Sequence, residues 1–350
     1  MQQDNEQLKQ YTENIKKALK NNVGLAIFVY GNQFNRETVY KWLTVFRFFK
    51  PTRLSMSKDG QHFPKRYNEA VVEEAALNNN VKSIYLENTK HGKIEFSSDG
   101  LTASFEANVP LDIWTERKAE IIHKYQEIFT ELGGCCGFAV NCFDNEIIQN
   151  PWNINIHKSY EVSDFDFPGI NNIPIIQRDI PTPYPIYQID PSYLPGYREY
   201  YDKIAFTTAP YMWFGPDFYR FFSQEKLEKY NNCQENEEFA IGYRRVCLWD
   251  DVAEYNAPLY RERQWDFLKK LEMRKIVKEL KSKPFIIKDS DFTPNPSIEI
   301  QRGNFSHGGT LLAKFYVDKK GKACSKSVAY ACIQREMQGN EIVWQKRIKL

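Results

Sequence analysis

Between Ile204 and Tyr230 the chain gathers Tyr211, Trp213, Phe214, Phe218, Tyr219, Phe221 and Phe222 around a single Gly215-Pro216 step. No other stretch limits the fold as much. A β-rich run from Ala205 to Phe214 reaches this Gly-Pro stop, and an aromatic helix is expected directly behind it. Pro216 suits a first helical turn, where its missing N–H has no partner to lose. Asp217 then places a carboxylate where the helix dipole favours one. So dense an aromatic cluster is either the core of a domain or an exposed contact surface.

The chain has 350 residues, enough for two cored domains or one large one. An aromatic content of 15% argues for a folded protein. A net charge of +2 gives no whole-molecule signal for a nucleic-acid partner. No apolar run approaches the roughly 20 residues that span a bilayer, so no membrane partner is expected. Residues 1–22 are polar and lack an apolar signal core, which makes the cytoplasm the expected compartment.

Seven cysteines occur without a Cys-x-x-Cys, and Cys135-Cys136 are adjacent. They read as free thiols in a reducing compartment. Five scattered histidines show no ligand spacing, so no metal and no cofactor are expected.

In chain order, Leu8, Tyr11, Ile15 and Leu19 mark an amphipathic helix over 2–21. Val23 to Tyr30 reads as a buried strand, followed by a turn at Gly31-Asn32. Asn35 can cap a helix running to about Phe49, with Val39, Trp42, Leu43, Phe46 and Phe49 on one face. A second helix is expected over 65–78, and strands near 82–87, 93–97 and 101–108, the last two joined at Asp99-Gly100. A helix over 115–132 and a strand from Cys136 to Phe143 complete this part. The β-α-(α)-β-β-β-α-β order, with two helices that each cross over between strands, suggests a split βαβ layer.

From 145 to 200 the prolines 168, 174, 181, 183, 185, 191 and 195 alternate with tyrosines. They exclude a long helix and central strands and predict an ordered, extended connection. Beyond it come a strand over Glu237 to Trp249, a helix over 258–282, and a β-rich tail with turns at Asp318-Lys319-Lys320-Gly321 and Gln338-Gly339-Asn340. The expected class is α+β. It comprises two lobes of mixed or antiparallel sheet with helices on one face, ferredoxin-like elements and a β-rich C-terminal segment. The expected divisions are 1–144, 145–200, 201–284 and 285–350.

Catalytic signals are weak. Asp250-Asp251 with Glu254 could gather carboxylates for a metal or for acid–base work, but paired acids after a strand are more often solvated turn residues. Ser306-His307-Gly308-Gly309 lacks a nucleophile elbow and reads as a flexible turn. Short basic stretches, of which Lys346-Arg347-Ile348-Lys349 is the richest, would need to converge in space to hold nucleic acid. No catalytic residue is assigned. The interaction reading rests on Trp, Tyr and Arg, the residue types of binding hot spots.

Leu25-Ala26-Ile27-Phe28-Val29-Tyr30, Arg36-Glu37-Thr38-Val39 and Phe48-Phe49-Lys50-Pro51 resemble the start of large immunity proteins of bacterial toxin systems. Ala209-Pro210-Tyr211-Met212-Trp213-Phe214-Gly215-Pro216 is similar to a central segment of the same group, which serves polymorphic toxins and type VI secretion effectors. The resemblance covers about residues 23–282. It implies a non-catalytic protein that binds a cognate toxin and occludes it, and it carries over no catalytic residues. The contact candidates Trp213, Phe214, Asp217, Tyr219, Asp250 and Asp251 come from the residues alone. A hydrolase built on Asp250, Asp251 and Glu254, and a structural module of a phage or secretion machine, are the alternatives.

Overall fold

The computed structural model describes residues 2–30, 34–58, 61–98, 102–151, 160–177, 187–201, 204–282, 285–286, 298–321, 323–338 and 341–350. The expected turns at Gly31-Asn32, Asp99-Gly100 and Gly339-Asn340 lie outside the described residues, as do Pro181, Pro183 and Pro185. The chain divides into two compact units, 1–273 and 274–350.

The first unit is built on the apolar strand β1 (Asn22–Tyr30). It lies between β6 (Thr102–Pro110) and β7 (Cys136–Asn141), antiparallel to both. Helix α4 (Leu111–Glu131) carries the chain from β6 over β1 to β7. The long connection from β1 to β5 (Lys93–Ser98) likewise leaves β6 between them. These two crossovers are the expected split βαβ arrangement. Outward from β5 the sheet continues through β4 (Val81–Glu87) and the hairpin β2 (Arg53–Lys58) and β3 (Gln61–Arg66).

Alternation decides which face is buried. Val23, Leu25, Ile27 and Val29 of β1 pack with Trp42, Leu43 and Phe46 of α2 (Arg36–Val45) and with Tyr125, Ile128 and Phe129 of α4. Helix α3 (Glu69–Leu77) adds Val72, Ala75 and Ala76 to the same core. Burying one large apolar side chain is worth about 1.5–3 kcal/mol, so this cluster dominates the unit's stability. The other face of β2, β4, β5 and β6 carries half-buried polar groups, among them Ser55, Tyr85, Glu95 and Glu106.

Several boundaries differ from the sequence reading. The helix expected over 65–78 begins only after Asn68, whose side chain accepts a hydrogen bond from the Val71 N–H. The residues before it form β2 and β3, whose serine- and lysine-rich strands lack the apolar content that marks a strand in sequence. Strand β7 stops at Asn141, which caps α5 (Cys142–Gln149) by accepting from the Phe143 N–H at 2.9 Å. The aromatic helix after Gly215 is a 3-10 turn, Pro216–Arg220, followed by a short helix, Gln224–Glu228. The strand expected from Glu237 to Trp249 is a hairpin of β13 (Glu235–Ala240) and β14 (Tyr243–Cys247) turning at Gly242, φ +75°. The helix expected over 258–282 breaks at Glu272, φ +53°, into Pro258–Lys270 and Met273–Ser282.

The largest difference concerns the two lobes. Strand β12 (Tyr211–Phe214) pairs with β7 on one edge and β14 on the other. One ten-stranded antiparallel sheet, β13-β14-β12-β7-β1-β6-β5-β4-β2-β3, therefore runs through both 1–144 and 201–284. The reason is in β7, where all six residues are buried. Such a strand needs neighbours on both edges and cover on both faces. The sequence between supplies the cover: α5 and the hairpin of β10 (Glu199–Tyr201) and β11 (Ile204–Phe206) lie against β1 and β7. Phe143, Ile147, Ile148, Phe167, Ile170 and Leu194 form a second core there.

The second unit is a five-stranded antiparallel sheet in the order β15 (Phe285–Ile286), β16 (Ile298–Arg302), β17 (Leu311–Val317), β18 (Ala331–Gln338) and β19 (Glu341–Lys349). The division also separates charge. Residues 274–350 carry 16 Lys and Arg against 7 Asp and Glu, a net charge of +9. Residues 1–273 carry 31 against 38, a net charge of −7.

Candidate functional site

The aromatic cluster is core. Trp213 and Phe214 are 0% and 3% exposed. The Trp213 ring lies 4.2 Å from that of Tyr125, and Phe214 packs on Phe218 at 5.0 Å. Neither can anchor a partner without opening the sheet. Tyr219 is half-buried, and Asp217 is partly exposed beside Arg220 at 3.9 Å.

Each of the three acids is already engaged. Lys118 Nζ donates to Asp250 Oδ2 at 2.5 Å, and the Tyr211 hydroxyl donates to Oδ1. Lys118 and then Tyr211 hold the Asp250 carboxyl below its usual range. Asp251 caps a 3-10 turn by accepting from the Ala253 N–H at 2.8 Å. Glu254 accepts from the Tyr260 hydroxyl at 2.8 Å. Each carboxylate has a structural task, and among the described residues no group of three or more His, Cys, Asp or Glu is placed to hold a metal ion.

A different site forms at one end of the sheet, where four separate segments meet. It is a cleft of about 1160 Å³. Asn21 and Asn22 come from the start of β1, and Phe48, Phe49, Lys50 and Thr52 from the connection between α2 and β2. Asn88, Thr89, Lys90 and Gly92 come from the β4–β5 loop. Asn108 and Pro110 close β6, and Leu111, Asp112, Thr115 and Glu116 open α4.

The walls are held by local hydrogen bonds. The Leu111 N–H donates to Asn21 O at 2.8 Å, which ties α4 to the entry of β1. Asn88 Oδ1 accepts from the N–H groups of Lys90 and Gly92, each at 2.9 Å, and folds the β4–β5 loop back on itself. Asn108 Nδ2 donates to His91 O at 3.2 Å and locks that loop to β6. Gly92 is required here, because a Cβ would sit 2.5 Å from the Phe49 ring. The Arg117 guanidinium lies 5.6 Å above the Phe48 ring.

The lining therefore offers amide donors and acceptors, three hydroxyls, two lysines, two carboxylates and two aromatic edges. It includes no serine, histidine, cysteine or tyrosine. No Ser–His or Cys–His pair therefore lies in it. Its volume exceeds the roughly 300–1,000 Å³ of small-molecule pockets, and it is open. Such a lining suits an extended peptide or a protruding loop. None of its residues was singled out as a contact in the sequence, since Asn and Thr in turns read only as turn formers.

Beside the cleft, the polar sheet face carries an ion cluster. Lys93 Nζ lies 3.0 Å from Glu106 and 3.1 Å from Glu95. Burial alone would lower the Lys93 ammonium, but the two glutamates outweigh it and hold it above its ordinary value. Burial likewise opposes the charge on Glu106, and Lys93 more than offsets this, leaving the carboxyl below its ordinary value. The cluster fixes the face rather than leaving charges free.

No protein-family model matches the chain. No curated protein matches it either. Among solved structures, the T6SS protein PA0821 of Pseudomonas aeruginosa is similar at a TM-score of 0.43 and 9% identity, over 71% of this chain and 72% of that one.

Proposed function

We propose that this protein is a non-catalytic immunity protein that neutralises a cognate bacterial toxin, taking a protruding segment of it into the cleft beside α4. The observation that carries the reading is the cleft's lining. It is open, rich in amides and bordered by both charge signs. That combination supports recognition of peptide backbone and polar side chains more than turnover of a small substrate. The resemblance of residues 23–282 to immunity proteins of polymorphic-toxin and type VI secretion systems supports the same reading. The net charge of −7 on residues 1–273 favours a basic toxin surface, which it would steer electrostatically.

The test is coexpression with the product of the adjacent gene, scored for rescue of growth and for a complex that survives purification. The variant Phe48→Ala with Asp112→Lys and Glu116→Lys should then lose at least tenfold in affinity, about 1.4 kcal/mol. A neighbouring gene whose product is harmless and does not co-purify would sink the immunity reading. Rescue that survives the triple substitution would move the contact away from the cleft.

A further inference from the structure

The second unit has a charge and a surface that toxin occlusion by the first does not use. We propose that residues 274–350 form a binding surface for single-stranded nucleic acid, centred on β19 and the His307 loop. A net charge of +9 on 77 residues is the electrostatic footprint of a polyanion partner. The whole-chain value of +2 conceals it.

Three observations favour nucleic acid over other polyanions. The first is an aromatic platform. The His307 imidazole stacks on the Trp344 indole at 4.4 Å and 7° between planes, with His307 well exposed. Bases stack on such rings whatever their sequence.

The second is rigidity. Glu336, 4% exposed in β18, accepts from the backbone N–H of His307 at 2.9 Å and engages the ring Nδ1 at 2.7 Å. The loop is thus fixed before any ligand arrives, which lowers the ordering cost of binding.

The third is the placement of cations around the platform. Lys346 shares one face of β19 with Trp344, two residues apart. Lys346 is exposed on that face and Arg347 and Lys349 on the opposite face of the same strand, and among the described residues no carboxylate pairs with them. At the other end of the strands, Lys319 and Lys349 lie 5.8 and 5.4 Å from the Tyr330 ring. Aromatic rings interleaved with unpaired cations are what a flexible single strand requires, since its phosphates and its unstacked bases are both accessible. An acidic protein surface would use the cations and have no need of the stacked pair.

Fluorescence anisotropy of labelled 20-mer oligothymidylate and oligouridylate with the full chain tests this. Binding should be detectable at micromolar protein in 50 mM salt and weaken steeply with salt. Binding of either oligomer supports the proposal, and their ratio separates DNA from RNA. Lys346→Glu with Arg347→Glu should cost about tenfold and flatten the salt slope by roughly 0.7 for each phosphate no longer neutralised. Trp344→Leu should cost about fivefold or more without changing that slope. Matching melting curves for both variants exclude misfolding as the cause. No binding at 50 mM salt overturns the proposal. So does a polyglutamate peptide that binds as tightly, or a Trp344→Leu chain that binds as well as the parent.

Discussion

Asp144 and Arg261 stand 117 positions apart and bury their opposite charges against each other, with side chains 1% and 8% exposed. The guanidinium donates to both carboxylate oxygens, through Nη1 to Oδ2 at 3.1 Å and through Nη2 to Oδ1. Nη1 also donates to Gln264 Oε1 at 2.9 Å, and Gln264 Nε2 donates to Thr208 O at 3.1 Å. The plane of Arg261 lies 4.4 Å from the Phe167 ring. One polar network thus joins α5, the helix Pro258–Lys270, the segment before β12 and the proline-rich connection. Arg261→Ala strands the Asp144 carboxylate in the core and should cost about 3–5 kcal/mol of unfolding free energy. The double change Asp144→Leu with Arg261→Met removes both charges and should cost less than the sum of the two single changes. Urea denaturation of the four proteins measures the coupling, and additive losses would contradict it.

Trp213 and Asp217 separate the two readings of the aromatic cluster. Trp213 lies in the core between Tyr211 and Tyr125, with ring centroids at 6.0 and 4.2 Å. Trp213→Ala should cost about 3–5 kcal/mol through lost burial and a cavity. Asp217 is partly exposed and its ion pair with Arg220 is long, at 3.9 Å, so Asp217→Ala should stay within about 0.5 kcal/mol. Thermal melts of the two variants check the contrast. A small loss at Trp213 would mean that the cluster is not the core described here.

The elements legible in the sequence were those whose side chains face one apolar layer. β1, α2 and α4 announced themselves through Val23 to Val29, Trp42 and Ile121 to Phe129, because periodicity records burial directly. The hairpin β2–β3 did not, since Ser55 and Ser57 face the polar side of the sheet. The insertion of β12 beside β7 was hidden for another reason. Pairing of Trp213 with Gly137 joins residues 76 positions apart, and no local pattern encodes that distance. The cleft was invisible on the same ground, as Asn21, Phe49, Asn88 and Asp112 converge only after the crossovers close. The basic character of 274–350 was masked by averaging with the acidic first unit.

Cysteine reactivity should follow burial. Burial pushes the thiols of Cys142 and Cys247 up to about 12, and raises Cys135 as well. At pH 8 a thiol of that kind is ionised to about one part in ten thousand, and the thiolate is the nucleophile. Cys233 and Cys324 are half-exposed. Iodoacetamide at pH 8 followed by peptide mass spectrometry should find Cys324 and Cys233 labelled first. Cys135, Cys142 and Cys247 should label only when the chain unfolds. Rapid labelling of Cys142 in the folded protein would contradict its burial in the first turn of α5.

Glu336 makes the second unit sensitive to acid. Burial opposes its charge, but the bonds from His307 and the Gly309 N–H outweigh this and hold the carboxyl below its ordinary value. A depressed folded pKa stabilises the native state at pH values above the unfolded one, near 4.3, and that contribution vanishes as pH falls through the folded value. The melting temperature of the transition involving 274–350 should therefore drop below about pH 4.3. Glu336→Gln keeps the shape and removes the titration, so its melting temperature should be lower at neutral pH and flatter across this window. Glu336→Ala leaves the backbone N–H groups of His307 and Gly309 without their acceptor, at about 1–3 kcal/mol. Calorimetry from acid to neutral pH on the three proteins decides the matter. Equal acid slopes in the parent and Glu336→Gln would show that another carboxylate governs the loss.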